Sequence, residues 1–565
     1  MVLLVVSGLL LALWSFVVPI FETPDEVHHW QYARYIHDHG RLPLYGPSFV
    51  EANSPPIYYV LIAPVATPTA VPPPAVWHDG RERFVVPFEP RWELNAGDDY
   101  QRYWPIRTAR LLTALMSVVT VLAAYLAGRD ATGLRCTGIL AAGLVALLPQ
   151  FTFRGSSVSN DALVAMFSAV TTWLTVRLVR RGFTWRRGAW ASVALAAGYL
   201  TKISAICLVP ALALAMLSAG GSIVDRTRRL VTFGLALLLV GPWSWRNVVL
   251  YGDPFASGAM HVAVANIITS QPLTSPYFLT TFPYLLSRSF VGYFGWMNLP
   301  MPEWIYFCFW TLGGVAVLGL VRAVVQDRRQ VMLVGVLLLL VLSNLAVVVH
   351  LNRTFAQPQG RYLFPAIASV AVLTALGLEA LPGWRRAGSF STVILLILLT
   401  IANVLVLVKV VRPAYYPAVM PRLSTAVMTL DPGAPIDLVA DKSAAGYIVT
   451  GDDPQLSFPI DLDTQAYGFL QFEISGEAPS VGVTGSVYFA LDHKLGSESQ
   501  RIDFEWLADN KRRNIIIPLL KNRFWRQRAT MLRIDPFNSG GRGVVGAHVA
   551  VLNLTLHGSL PVTPM

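Results

Sequence analysis

Apolar runs about as long as a bilayer-spanning helix recur along most of this chain, and short arginine-rich loops separate alternate pairs of them. The runs begin near Met1, Ile106, Cys136, Asn160, Ala189, Ile203, Leu230, Trp304, Val331, Tyr362 and Phe390. The loops hold Arg129 and Arg135; Arg177, Arg180, Arg181, Arg186 and Arg187; Arg226, Arg228 and Arg229; Arg322, Arg328 and Arg329; Arg385 and Arg386. Only Asp130, Asp225 and Asp327 oppose them within the same loops. Cations concentrate on the cytoplasmic side of membrane proteins, so these loops are expected inside. That parity predicts about eleven transmembrane helices, with the N-terminus inside and the C-terminus outside. The first run, MVLLVVSGLLLALWSFVVPI, lacks a basic start and a small-residue cleavage site and is expected to stay as a helix.

Composition agrees with a polytopic α-helical membrane protein. Hydrophobic residues make up 54% of the 565 residues and charged ones 14%, which excludes an ordinary soluble enzyme. The net charge of +11 would suit nucleic-acid binding, but its placement in alternate loops reports topology instead. The three cysteines, Cys136, Cys207 and Cys308, lie scattered in apolar runs and make no disulfide framework or thiolate metal site.

Two outward segments, about 21–105 and 251–303, are too long to be simple connectors, and loops of that length are usually functional. After Arg412 the hydropathy collapses. Short alternating runs such as YGFLQFEI, GSVYFAL and HVAVLNLTL, separated by turn residues, predict an extracytoplasmic β-sandwich resembling a jelly roll. The expected organisation is a membrane domain over 1–411 and a β domain over 412–565. Trp506, Phe524 and Trp525 could stack on sugars or fill the sandwich core, and Asp461, Asp463 and Asp535 could bind calcium or end strands.

Polar residues without a solubility reason mark the candidate chemistry. The segment FETPDEVHHWQYARYIHDHG, directly after the first span, predicts a helix ending near His39–Gly40. Thr23, Pro24 and Glu26 have the spacing of a capping box, so Glu26 is either a cap or a site residue. Asp25 is not needed by the cap, and a helix N-terminus favours its ionised form. His29 lies one turn on, along the same face. The stretch Gly188–Ala219 is too long for one span and short for two, which predicts two short helices meeting at YLTKIS. Lys202 would then lie below the outer surface, where a cation is costly and suggests an anionic partner such as a lipid phosphate. A snorkelling lysine is the plainer alternative. Asp161 could be a first-turn residue of its span or part of a site, and Arg246 and Arg361 also fall at the outer face.

These residues resemble the GT-C superfamily of polyprenyl-phosphate-sugar-dependent membrane glycosyltransferases, which includes protein O-mannosyltransferases and the lipid A aminoarabinose transferase. Closest is an uncharacterised bacterial branch of predicted membrane proteins. The matching pieces, in family order, are TPDEVHHWQYARYI, SPPIYYVLIAP, SNDAL, LTKIS, PWSWRNVVLYGDPF, FGWMNLPMP and QGRYLFPA. They cover roughly Phe21–Ala366; the C-terminal β domain lies outside the resemblance. The resemblance implies a GT-C-like fold and an inverting transferase that moves a hexosyl or pentosyl group from an isoprenoid phosphate to an acceptor hydroxyl at the outer face of the inner membrane. It implies Asp25 as catalytic carboxylate, accompanied by Glu26, and Lys202 and Arg361 near the donor phosphate, with Arg246 a weaker candidate there. His29, Asp161, Tyr58 and Trp296 are candidates for substrate contact. Asp25 and Glu26, with Asp161, could alternatively hold Mg²⁺ or Mn²⁺. Expected partners are the polyprenyl-phosphate sugar, a glycan, lipid or protein acceptor, and membrane lipids, with no nucleic acid. A lipid-linked glycan polymerase, ligase or flippase is the competing reading, and a transporter a third.

Overall fold

In a computed structural model of the chain, each of the eleven apolar runs carries helix. The structure describes residues 1–18, 20, 23–46, 49, 51–67, 83–85, 104–218, 223–263, 271–295, 297, 299–328, 330–415, 426–431, 433–441, 445–451, 453–491, 500–519, 522, 525, 528–537 and 544–558. In chain order the helices that matter here are α1 (Val2–Val17), α2 (Glu26–His39), α3 (Ile57–Ile62), α4 (Trp104–Thr132), α5 (Arg135–Ala146) and α6 (Pro149–Gly155). Next come α7 (Asn160–Arg181), α8 (Trp185–Tyr199), α9 (Val209–Ser218) and α10 (Ile223–Tyr251). The last are α11 (Phe282–Val291), α12 (Glu303–Gln326), α13 (Gln330–Thr354), α14 (Ile367–Ala380) and α15 (Ser389–Val406). Seven described helices are long and apolar enough to cross a membrane, or eight if α5 and α6, bent by 66°, form one broken span.

Contacts divide the chain into two compact units. The first holds 1–69 and 101–411, and the second holds 412–565 together with the stretch that includes Arg83–Val85. Within the first, α4 packs on α5 and α7, and α12 crosses α14. Glycines permit that crossing: a Cβ on Gly377 would lie 1.9 Å from the Ala316 carbonyl oxygen, and one on Gly319 would lie 1.9 Å from that of Gly377.

The break expected at YLTKIS is present. Helix α8 stops at Tyr199, Lys202 adopts extended backbone, and a 3₁₀ turn over Ile203–Leu208 leads into α9. At about 1.5 Å per residue neither half reaches across a hydrocarbon core of about 30 Å. A second 3₁₀ turn, Gly360–Ala366, opens α14.

The second unit is strand-rich. Among the described residues eleven strands form one hydrogen-bonded network around the long strand Phe469–Leu491. The first half of that strand pairs antiparallel with Arg513–Pro518 and His548–His557, its second half with Arg501–Asp509 and Arg528–Asp535. Arg83–Val85, from the first long loop, adds a parallel strand beside Asn514–Ile516. Trp506 and Trp525 are core residues, 1% and 2% exposed, and their indole N–H groups donate to the Pro536 and Tyr467 carbonyls. They are not open sugar platforms. Asp461 pairs with Arg528 and Asp535 with Arg533; Phe524 lies outside the described residues.

Candidate active site

The chain leaves α1 and turns sharply at Asp25, whose backbone is left-handed (φ +63°). Aspartate tolerates this conformation better than most residues, and backbone strain of this kind gathers at functional sites. The turn also undoes the expected capping box. Asp25 itself occupies the N-cap position of α2 and makes no side-chain cap bond, although the helix does end at His39 with Gly40 left-handed after it.

Glu26 instead points into the protein. Its carboxylate accepts from Nε and Nη2 of Arg110 at 2.7 and 2.6 Å, and from the Val158 amide at 2.9 Å. Both side chains of this pair are wholly buried, and Arg110 also donates to the Ser15 and Val18 carbonyls. Glu26 therefore ties α2 to α4 and to the start of α7.

Asp25 goes the other way. Its Oδ2 accepts from Nη2 of Arg361 at 2.5 Å, while Nη1 of the same guanidinium lies 3.5 Å from Oδ2 of Asp161. Asp161 is the hub of the cluster. It accepts from Arg154 at 2.9 Å and from Lys202 Nζ at 2.6 Å, and its backbone amide donates to the N-cap Ser159 hydroxyl. Arg154 also donates to the Pro24 carbonyl, so the turn that carries Asp25 is held from two sides. Lys202 and Arg361 both face the ring of Tyr362, at 5.3 and 5.0 Å from its centroid. Gly360 makes the approach of Arg361 feasible, since a Cβ there would meet the Phe290 amide nitrogen at 2.1 Å.

A second set of groups borders Asp25. His29 Nδ1 lies 2.9 Å from the Tyr59 hydroxyl, which also accepts from Asn160 Nδ2 at 3.2 Å. Glu51 approaches His29 to 3.9 Å and accepts from the Ser54 hydroxyl at 3.1 Å. Burial works against ionisation of Asp25, but the charges of Arg361, His29 and Arg154 outweigh it and hold its carboxyl far below the usual range. Burial pushes His29 down to about 3, against the pull of Asp25 and Asp161. Glu51 is pushed up to about 7, by burial first and then by the Asp25 charge, with Lys202 and Arg361 opposing.

The structure thus brings together Asp25, Asp161, Lys202 and Arg361, with His29 at their edge. Tyr58 is buried with its hydroxyl 2.8 Å from Thr113 on α4. Among the described residues Arg246 makes no ion pair with this cluster: its guanidinium covers the rings of Trp243 and Tyr251 and donates to the Pro43 carbonyl. Trp296 lies outside the described residues. Sequence reasoning missed Arg154, Glu51 and Tyr59. Arg154 had a usable signal, because QFTFRGSS puts a cation at the end of an apolar run with no loop to solvate it. Glu51 sits in a proline-rich segment and looks like any solvated carboxylate.

A divalent cation fits these residues poorly. Asp25 and Glu26 take different partners, and both carboxylates of the cluster already face Arg154, Lys202 or Arg361. Among the described residues no group of three His, Cys, Asp or Glu side chains is placed to hold a metal.

Residues 104–245 match the family model for dolichyl-phosphate-mannose-protein mannosyltransferases. On this segment the chain is similar to the GT-C glycosyltransferases. The matched stretch supplies Arg154, Asp161 and Lys202, three of the five charged residues of the cluster. No curated protein matches the sequence. Among solved structures, ArnT from Cupriavidus metallidurans bound to undecaprenyl phosphate is 14% identical, with a TM-score of 0.42 over 73% of each chain. The Archaeoglobus fulgidus oligosaccharyltransferase tethered to an acceptor peptide is also 14% identical, with a TM-score of 0.42 over 73% of this chain and 54% of its own length. Arabinofuranosyltransferase AftD from Mycobacteria is 10% identical, with a TM-score of 0.39 over 98% and 61%.

Proposed function

We propose that this GT-C-like protein transfers a sugar from an isoprenoid phosphate to an acceptor hydroxyl, with inversion at the anomeric carbon, on the extracytoplasmic face of the inner membrane. The topology that goes with this reading has eleven crossings, the N-terminus inside and the C-terminus outside. One observation carries it: among the described residues three cations, Arg154, Lys202 and Arg361, form ion pairs with two carboxylates, Asp25 and Asp161. These pairs leave one positive charge over, and Glu51, pushed up to about 7 by burial, offsets it only in part near neutrality, so the cluster can take a ligand anion. An apolar cavity of about 620 Å³, lined by Leu286, Phe290, Leu363, Ile367 and others, shares the Gly360–Ala366 turn with Arg361. A lipid with a phosphate head suits such a pairing of charge and apolar surface.

When the glycosidic bond breaks, the departing isoprenyl phosphate gains one negative charge. Lys202 and Arg361 then gain interaction in the transition state that they lack with the bound diester. In this reading Asp25 takes the proton of the attacking acceptor hydroxyl and passes it to water, while also holding Arg361; Asp161 orients Lys202 and Arg154. No step passes through a metal.

The test uses detergent-purified protein, a panel of radiolabelled polyprenyl-phosphate sugars and a set of acceptors. Consumption of one donor by wild type, lost in Lys202→Ala, supports the reading. Polymerisation or transfer of diphosphate-linked oligosaccharides, or lipid flux without a covalent product, would replace it with the polymerase, ligase or flippase reading.

A further inference from the structure

The turn that opens α14 carries Arg361, and Glu379 stands at the other end of that helix. There the ends of α4, α12 and α14 and the starts of α5, α13 and α15 meet around a second cavity, of about 400 Å³. These helix ends carry arginine-rich loops, so in the eleven-crossing topology the cavity lies at the cytoplasmic leaflet. Its lining has the opposite charge to those loops. Glu379 and Asp327 line it, and among the described residues no arginine or lysine does. Leu134, Leu320, Val334 and Leu376 supply apolar wall. Neutral groups orient both carboxylates. Glu379 Oε2 accepts from the Thr137 hydroxyl at 2.6 Å, and that hydroxyl lies 2.7 Å from the one on Thr132. Asp327 Oδ2 accepts from Gln330 Nε2 at 3.2 Å. Arginines stand one side chain removed. Gln330 accepts from Arg180, and the Arg322 guanidinium lies 3.0 Å from the side-chain amide of Gln326, also on the cavity. The indole Nε1 of Trp384, another lining residue, is buried and has no hydrogen-bond partner among the described residues.

We propose that this cavity holds the head group of an aminophospholipid from the cytoplasmic leaflet, with its primary ammonium on Glu379 and Asp327. Two carboxylates on one cavity at a membrane interface draw a cation. Leucine and valine walls offer nothing to a hydrated metal ion, and among the described residues no three-ligand metal group exists. The same walls suit the first carbons of acyl chains. A lipid with a purely anionic head would meet the two carboxylates as like charges. A zwitterionic head satisfies both halves of the site: its ammonium takes the carboxylates, and its phosphate takes Arg180, Arg322 and the indole N–H of Trp384. A primary ammonium has three N–H donors for carboxylate oxygens, whereas a quaternary one has none. The bound lipid would brace the ends of six helices at the far end of α14 from Arg361. Its effect therefore falls on the stability of the membrane unit, and the proposal stands apart from the transferase reading.

The experiment titrates delipidated, detergent-purified full-length protein with phosphatidylethanolamine, phosphatidylcholine and phosphatidylglycerol of identical acyl chains. Native mass spectrometry reads binding, and the unfolding temperature is followed in parallel. Wild type should bind phosphatidylethanolamine and unfold at a higher temperature with it. Phosphatidylcholine and phosphatidylglycerol should bind about 10–100-fold more weakly, the factor for losing charge-assisted hydrogen bonds. Glu379→Gln should weaken phosphatidylethanolamine by a similar factor and leave the other two lipids unchanged, and Asp327→Asn should act in the same direction. Binding of polyprenyl phosphate should be equal in wild type and both variants, which shows that they are folded. If the variants do not fold, the three-lipid comparison on wild type decides alone. Equal binding of phosphatidylethanolamine and phosphatidylcholine overturns the proposal, as does a preference for phosphatidylglycerol or no binding of any of the three. A preference for phosphatidylethanolamine that survives Glu379→Gln together with Asp327→Asn places the lipid elsewhere and also overturns it.

Discussion

Arg110 holds Glu26 through two parallel hydrogen bonds, from Nε at 2.7 Å and Nη2 at 2.6 Å, with both side chains wholly buried. Removing one partner of such a pair strands the other charge in a low-dielectric interior. Glu26→Gln should therefore destabilise the protein by about 3–5 kcal/mol. Asp25→Asn, one residue away, should leave thermal unfolding in detergent much closer to wild type. Equal losses from both would show that the two carboxylates do the same structural work.

Lys202 bears on the reaction more than on the fold. Its side chain is 23% exposed and its partner Asp161 keeps Arg154. Lys202→Ala should lower kcat by about 10²–10³-fold, as removal of a donor to developing charge does elsewhere. The unfolding temperature should change little. A variant that unfolds early yet turns over normally would contradict this assignment.

Gly360→Ala places a methyl group 2.1 Å from the Phe290 backbone nitrogen, a distance that backbone must give way to. The Gly360–Ala366 turn would shift and carry Arg361 away from Asp25 and Asp161. Polyprenyl-phosphate binding should weaken as in Arg361→Ala, measurable by titration of the purified variant. Binding equal to wild type would mean the turn tolerates the displacement.

Acid stability has two opposed contributors. His29 is lowered from 6.5 to about 3, so the unfolded state binds a proton first, and stability falls as pH drops through that window. Glu51 is raised from 4.5 to about 7, so its folded state takes the proton first, and stability rises as pH drops from about 7 to 4.5. His29→Asn should flatten the loss of unfolding temperature between pH 7 and pH 4, whereas Glu51→Gln should steepen it. Identical slopes in all three proteins would show that neither shift exists.

In the strand-rich unit, Trp506→Ala should cost about 3–5 kcal/mol, the range for emptying a buried aromatic site. The indole is 1% exposed, packs on Phe537 and donates to the Pro536 carbonyl. The transition of that unit in calorimetry of the full chain should move down. A neutral effect would point to a surface role for this ring.

The positions of the helices were legible because bilayer thickness sets run length and arginine marks alternate loops, both local properties of sequence. Lys202 was found from a length conflict, and the structure breaks the helix where that conflict predicted. Asp25 was visible through its place at a helix start. Its bond to Arg361, 336 residues away, was not, because nothing local encodes it. The same holds for Glu26 and Arg110, 84 residues apart. The capping box misled for a definite reason: its spacing was right, but the left-handed turn at Asp25 rotated Glu26 away from the helix end.

The interruption between α8 and α9 also bears on how the chain settles in a membrane. Neither half is long enough to cross a bilayer unaided, and Lys202 stands at the break between them. A bare ammonium group at that depth is costly. The carboxylate that relieves it, Asp161, belongs to a helix made earlier on the ribosome. A chain that loses Asp161 would therefore carry an unrelieved cation from the moment these helices pack, a cost met before any substrate is.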